Sequence, residues 1–165
     1  MKIAVFPGTF DPITRGHIDV IIRSLEIFDK LIVAVLHNNN KKILFTLNER
    51  MDMITESCKD LIPKYDDLIT VKSFDGLLVN FLKQIDVRFV VRGLRVVSDF
   101  EYEFQMTMMN RELSKNCEIV FLMPNQKYSF VSSSLVKEIA LFNGDISSFV
   151  TDNVMKLFKD KNIVK

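Results

Sequence analysis

"VFPGTFDPITRGHIDVI" (Val5–Ile21) lies near the start of the chain, and its reading decides the fold. A β-branched and aromatic run breaks at Pro7-Gly8-Thr9, a turn-rich stretch follows, and Gly16-His17 leads into a helical pattern. From His17 to Phe28, the residues Ile18, Ile21, Ile22, Leu25 and Phe28 recur at the spacing of one helical face. Strand, tight turn and helix in that order form the opening of a βαβ unit. The histidine at the junction is one of only two in the chain, so its presence there asks for a reason.

The same alternation continues outward. Residues 2–6, 31–36, 68–74, 88–92 and 118–123 are short runs rich in Val, Ile and Phe. Three of them are nearly continuous apolar runs, as expected of strands covered on both faces. Helical segments fill the gaps: 17–28, 46–59, 76–84 and 98–113. The second opens with the capping box "TLNE", and Ser98 and Asp99 are candidate caps for the fourth. Repeated strand–helix alternation predicts an α/β fold, a doubly wound, Rossmann-like, five-stranded parallel sheet of order 3-2-1-4-5 or a close variant. A helical tail, 129–165, follows strand 5; its first helix starts at Ser132-Ser133-Ser134, with Leu135, Ile139 and Phe142 as the expected apolar stripe. In that order strands 1 and 4 are neighbours at the topological switch point, beyond whose carboxyl ends ligands bind. The loop after strand 1 carries Gly8, Thr9 and His17; the loop after strand 4 is Arg92-Gly93-Leu94-Arg95.

The bulk numbers narrow the class. A chain of 165 residues suggests one domain, 1–165, able to bury roughly 70% of its unfolded surface. With 22 basic against 21 acidic residues, general nucleic-acid binding is not expected, although a local anion pocket is. Cys58 and Cys117 match no metal or redox spacing and read as reduced thiols. No apolar run approaches the ~18 residues of a membrane span, and no signal-peptide pattern opens the chain, so a soluble cytoplasmic protein with no membrane partner is expected.

The loops describe a polyphosphate site. Helix N-termini attract anions, and the chain offers two, at Gly16-His17 and at Ser132–Ser134. Gly8 and Gly16 let a ligand approach the backbone closely, Thr9 adds a hydroxyl, and Arg92 and Arg95 add forked donors around Gly93. Lys41, after strand 2, lies on the same sheet edge. Neither a Walker lysine motif nor G-x-G-x-x-G is present, which weakens kinase and dinucleotide readings. What is present is T-x-G-H (Thr14–His17) paired with S-S-S-x-x-K (Ser132–Lys137). Each has a plainer role: a helix-start histidine held by backbone, an N-cap serine, surface ion-pair arginines, a solvated Lys41-Lys42 pair. The pairing of the two motifs favours function. Met106, Met108 and Met109 read as core or subunit contact. Asp99, Glu101 and Glu103 alternate on a helix and do not form an acid/base pair. Asp11 reads as an organiser of the turn, a metal role being the alternative.

"PGTFDPITRGH", "RGLRVVSDFEYEFQM" with "MNRELS", "VFLMP" and "SFVSSSLVKEIA" together resemble the bacterial phosphopantetheine adenylyltransferases, within the nucleotidyltransferases that carry (H/T)-x-G-H. The resemblance spans essentially the whole chain. It implies transfer of the adenylyl group of ATP to 4′-phosphopantetheine, giving dephospho-coenzyme A and pyrophosphate with Mg²⁺ assisting, by direct in-line attack without a covalent enzyme intermediate. By motif match it implies His17, Lys41 and Arg92 as catalytic residues. It implies ATP contacts from Thr9, Phe10, His17, Gly93, Leu94, Arg95, Glu103 and Tyr128-Ser129-Phe130-Val131-Ser132-Ser133-Ser134. It implies acceptor contacts from Thr9, Lys41, Leu78 and Arg92, with Leu78 on the pantetheine arm. It further implies a homohexamer and feedback inhibition by coenzyme A. The sequence departs from the family pattern at Phe6, Arg15 and Tyr128, and Asn38-Asn39-Asn40 lacks a proline often found there. Arg15 reads as solvent-facing, a place beside the phosphates being the alternative. Two other functions stay open: nucleotidyl transfer to nicotinate mononucleotide or glycerol 3-phosphate, and a non-catalytic nucleotide-binding module.

Overall fold

A computed structural model describes residues 1–37, 43–95 and 97–164, with side chains 97–99 left out. Five parallel strands, β1 (Ile3–Gly8), β2 (Lys30–Leu36), β3 (Ile69–Phe74), β4 (Phe89–Gly93) and β5 (Glu118–Leu122), form one sheet in the order β3-β2-β1-β4-β5. The expected order is the one observed. Helices α1 (Arg15–Leu25), α2 (Leu47–Leu61), α3 (Leu78–Gln84) and α4 (Val97–Leu113) make the crossovers, and α5 (Ser133–Leu141) and α6 (Asp152–Asp160) form the tail.

Strand side chains alternate between the two faces, and both faces are covered. Ala4 and Phe6 of β1 join Ile18, Ile21, Ile54, Val136 and Phe158 in the larger core, under α1, α2, α5 and α6. Val5 faces the other way, into a smaller core with Ala34, Phe81, Leu82 and Val90. This two-sided burial is why β1 and β2 read as unbroken apolar runs.

Helix boundaries moved where caps decided them. Thr14 caps α1, so the helix starts at Arg15 rather than His17 and ends at Leu25; Phe28 lies beyond it but is still buried. Val97 begins α4, which puts Ser98 and Asp99 inside the first turn instead of at the cap. In α5 the stripe is also different. Val136 and Ala140 are buried and Ile139 packs beside them, whereas Leu135 and Phe142 are exposed. The helix is rotated about one residue from the expected face, and its first turn is tied to the β1–α1 loop, Ser133 Oγ donating to Pro12 O at 2.7 Å.

One feature of the register makes the site. β1 pairs with β4 only at Ala4–Phe89 and Val5–Val90, although both strands continue beyond. Their carboxyl ends part, and a crevice opens at the switch point.

Candidate functional site

Arg92 stands in the gap where β1 and β4 part. Its Nη1 donates to Pro7 O at 3.0 Å, replacing the ladder bond the strands no longer make. Its other edge meets Glu103 of α4: Nε donates to Oε2 at 2.7 Å and Nη2 to Oε1, a two-pronged ion pair. Arg92 is thus an ion-pair residue, but a half-buried one inside a cleft, not a surface one.

That cleft, about 460 Å³, lies at the carboxyl edge of the sheet. Of the residues implied for ATP or catalysis, Thr9, Phe10, His17, Arg92, Gly93, Arg95, Glu103, Tyr128, Val131 and Ser132–Ser134 line it. Three do not. Leu94 is buried, Phe130 is exposed and packs edge-on against Phe149, and Ser129 folds its hydroxyl back to Gln126 O. Lys41 lies outside the described residues. Leu78 lines a second cavity of about 340 Å³, with Leu36, Phe74, Leu77, Met106 and Ile119 among its walls. The two cavities meet at Pro7, Gly8, Thr9, Arg92, Tyr102 and Glu103, which line both.

His17 is set by the start of its own helix. The Thr14 amide donates to His17 Nδ1 at 3.0 Å, and Thr14 Oγ1 lies 2.9 Å from the same nitrogen. In return the His17 amide donates to Thr14 Oγ1. This is a capping box with histidine in the place usually held by Glu or Gln. A backbone N–H can donate only to an unprotonated Nδ1, so this pattern assigns the neutral ring's hydrogen to Nε2. Burial first, and then the charges of Arg95 and Arg92, push the His17 pKa down to about 4. At neutral pH the ring is an uncharged donor at a helix N-terminus that holds no acidic residue in its first turn.

Phe10 buttresses that ring. It is a buried residue in the left-handed region, φ 49°, a conformation costly for a residue with a side chain. The strained turn lays its ring edge-on to His17, centroids 5.1 Å apart, and against Phe6 at 5.3 Å. The Phe10 ring also explains Gly8. A Cβ there would sit 2.9 Å from Phe10 Cζ. What approaches the Gly8 backbone is therefore a side chain of the protein. Gly16 likewise faces Tyr128, 3.5 Å from where its Cβ would be.

Asp11 organises the turn, as expected, by reaching across to the next loop. Its carboxylate accepts from the Leu44 and Phe45 amides and from Lys137 Nζ at 2.6 Å. Lys137 lines the cleft but had no role in the sequence reading, although "SSSLVK" contains it; one helical turn after Ser133, it falls on the serines' face. Arg15 does neither of the things expected of it. Its amide donates to Phe149 O at 2.8 Å and its Nε to Val150 O at 3.0 Å, which ties the tail to the start of α1. Neither thiol suits covalent catalysis: burial raises both, Cys58 to about 12. Among the described residues no group of three or more His, Cys, Asp or Glu side chains is placed to hold a metal. The two acidic groups lining the cleft, Asp11 and Glu103, each pair with a cation.

A cytidylyltransferase-like family model matches residues 5–139. A phosphopantetheine adenylyltransferase of Desulfosudis oleivorans is 50% identical over 98% of this chain and 93% of its own. One of Dictyoglomus turgidum is 51% identical over 98% of each. Among solved structures, a putative nicotinate-nucleotide adenylyltransferase of Vibrio parahaemolyticus has a TM-score of 0.71 at 20% identity, covering 99% of this chain and 95% of its own. At that identity the likeness concerns the fold.

Proposed function

The chain belongs to the phosphopantetheine adenylyltransferases, within the cytidylyltransferase-like family, and from that membership and the cleft we propose how it works. A phosphate oxygen of 4′-phosphopantetheine attacks the α-phosphorus of ATP in line. The new oxygen–phosphorus bond forms as the bond to the bridging α–β oxygen breaks, giving dephospho-coenzyme A and pyrophosphate. The enzyme supplies position and charge stabilisation, not a nucleophile.

The observation that carries this reading is the junction of the two cavities. The larger has two helix N-termini and suits a triphosphate. The smaller, with Leu78 in its wall, suits a long, largely uncharged arm. They meet at Arg92 and Thr9, where the acceptor phosphate and the α-phosphate must meet. His17 Nε2–H stabilises charge on the α-phosphate. Arg92, with Lys41, holds the acceptor phosphate, and Thr9 contacts both substrates. Gly93, Arg95, Glu103, Tyr128, Val131 and Ser132 to Ser134, which line the larger cavity, serve ATP. Arg92 keeps its Nε edge on Glu103 while Nη1 leaves Pro7 O for phosphate. Coenzyme A, which carries the same arm on a nucleotide, inhibits by spanning both cavities.

Mg²⁺ would come as a companion of ATP, in keeping with its preference for substrate phosphates plus water, and would supply neutralisation of polyphosphate charge. Residues 1–165 act as one nucleotidyltransferase domain. The homohexamer is proposed for this chain too. The apolar surface of α4, where Phe104, Met106, Met108, Met109 and Leu113 are all exposed, supports a subunit contact. A cytoplasmic location is proposed for the chain; no helix among the described residues is long and apolar enough to cross a membrane.

Pyrophosphate release from ATP tests the assignment. Turnover is expected with phosphopantetheine. Turnover with nicotinate mononucleotide or glycerol 3-phosphate instead overturns the acceptor, and none with any of them favours a binding module. Arg92→Ala is expected to raise the KM for phosphopantetheine about 10- to 100-fold, the size of a lost charged hydrogen bond, with a smaller change for ATP.

A further inference from the structure

Arg50, on α2, is wholly buried and lines neither cavity, yet it touches the loop after β1, which lines the cleft, and the end of β2 with the loop that follows it. Its Nη1 donates to Thr9 O at 2.7 Å and to Leu36 O at 3.1 Å, and its Nε donates to Phe45 O at 3.1 Å. Thr9 is the first residue beyond β1, and Leu36 ends β2. The last β1–β2 register pair is Gly8–Val35, so both carbonyls lie where the ladder stops. Arg50 supplies the missing donors in a dry interior. Burial lowers its pKa and the Asp11 carboxylate opposes that shift. Nη2 has no hydrogen-bond partner among the described residues. A buried guanidinium with an unused donor is a costly way to brace a loop, where apolar packing would serve stability as well.

We propose that Arg50 is a positioning residue for adenylyl transfer: by holding the Thr9 carbonyl it fixes the Thr9–Phe10 peptide and, through it, the ring that seats His17. This rests on the function proposed above. The mechanism is geometric. In a trans peptide the carbonyl and the following N–H point in opposite directions. With Thr9 O turned to Arg50, the Phe10 amide is turned away from it, in a loop that lines the cleft. The same anchor holds the peptide that leads into Phe10, whose own left-handed backbone sets its ring against His17. Three carbonyls around one planar fork require arginine; a lysine ammonium at the end of its stem does not reach all three in this arrangement.

The test compares wild type with Arg50→Lys and Arg50→Met in the pyrophosphate-release assay, with folding followed by circular dichroism. Wild-type turnover tests the function itself, so failure there is distinct from failure here. In folded variants kcat is expected to fall at least 10-fold, while the KM for phosphopantetheine changes less than 2-fold. Wild-type kcat in either folded variant overturns the proposal, because a purely structural brace lowers thermal stability and leaves turnover by the folded fraction intact. Should neither variant fold, NMR on the wild-type enzyme decides. Saturating non-hydrolysable ATP analogue is expected to shift the Phe10 amide resonance. An unmoved resonance removes the route by which Arg50 acts and overturns the proposal.

Discussion

Two helix starts open on the same cleft, and they are built differently. At α1 the cap, Thr14, is buried and the capping box is closed by a histidine. At α5 the cap is Ser132, whose Oγ accepts from the Leu135 amide at 3.1 Å, and Ser133 is tied to Pro12 O. Neither has an acidic residue in its first turn, so both present the positive end of a helix to an anion. Only α1 spends its cap on fixing the tautomer and direction of a side-chain donor. On the function proposed above, the α1 start acts on a single oxygen and the α5 start binds a charged group more broadly, so the α1 side is expected to govern kcat and the α5 side the KM for ATP.

The largest expected effect tests the α1 half. His17→Ala should lower kcat about 10²- to 10³-fold, the usual cost of one oxyanion donor, with ATP affinity by calorimetry nearly preserved. An unchanged kcat would take His17 out of the reaction, and equal losses in kcat and affinity would erase the difference between the two starts. The ring itself offers a sharper check. With its folded pKa near 4 against 6.5 for the free side chain, His17 stays neutral through pH 5–8, and ¹⁵N NMR should show the proton on Nε2. The unfolded chain takes up a proton below pH 6.5 and the folded one does not until about 4. Stability from this group therefore falls as pH drops from 6.5 to 4 and levels off below. His17→Gln should flatten that part of the pH–stability curve.

Next in size is an indirect blow to the same side. Gly8→Ala puts a Cβ against the Phe10 ring. Overpacking of this kind costs about 1–3 kcal/mol. Because Phe10 seats His17, kcat should fall about 10-fold, short of the ~10²-fold that a 1 Å misplacement can cost. Thermal melts and steady-state kinetics on one preparation separate the two. A loss of stability with full kcat would show that His17 is held by Thr14 alone.

The legible and illegible parts of this molecule divide along the same physical line. Strand order followed from alternation and handedness, which act along the chain, and it brought Arg92 to the β1 loop before any contact was known. The histidine, the arginines and the serine triplet were visible because chemistry needs particular side chains in particular loops. The plainer reading of His17, a helix-start histidine held by backbone, is met by the Thr14 amide, but that it closes a capping box was hidden because it imitates glutamate, a substitution no spacing rule anticipates. Arg15 was misread because its partners, Phe149 O and Val150 O, are backbone atoms more than 130 residues away. Arg50 left no trace for the same reason: in "FTLNER" it looks like any solvated helix residue, and only the ends of β1 and β2 give it work.

The smallest effect is expected at α5, and two substitutions there separate capping from binding. Ser132→Ala removes both the cap and the hydroxyl; a lost N-cap typically costs ~1 kcal/mol, whereas glycine at the same position costs only a few tenths. Both variants lack the hydroxyl that lines the cleft. If Ser132 Oγ contacts the ATP phosphates, both should raise the KM for ATP about 2- to 10-fold, the worth of one hydrogen bond, while only alanine lowers the melting temperature appreciably. If the hydroxyl serves the helix alone, the KM follows stability, and glycine leaves it near the wild-type value. In either case kcat should move far less than in His17→Ala. A kcat loss at Ser132 as large as that at His17 would mean that the second helix start also acts on the reacting phosphorus, and the contrast with α1 would be wrong.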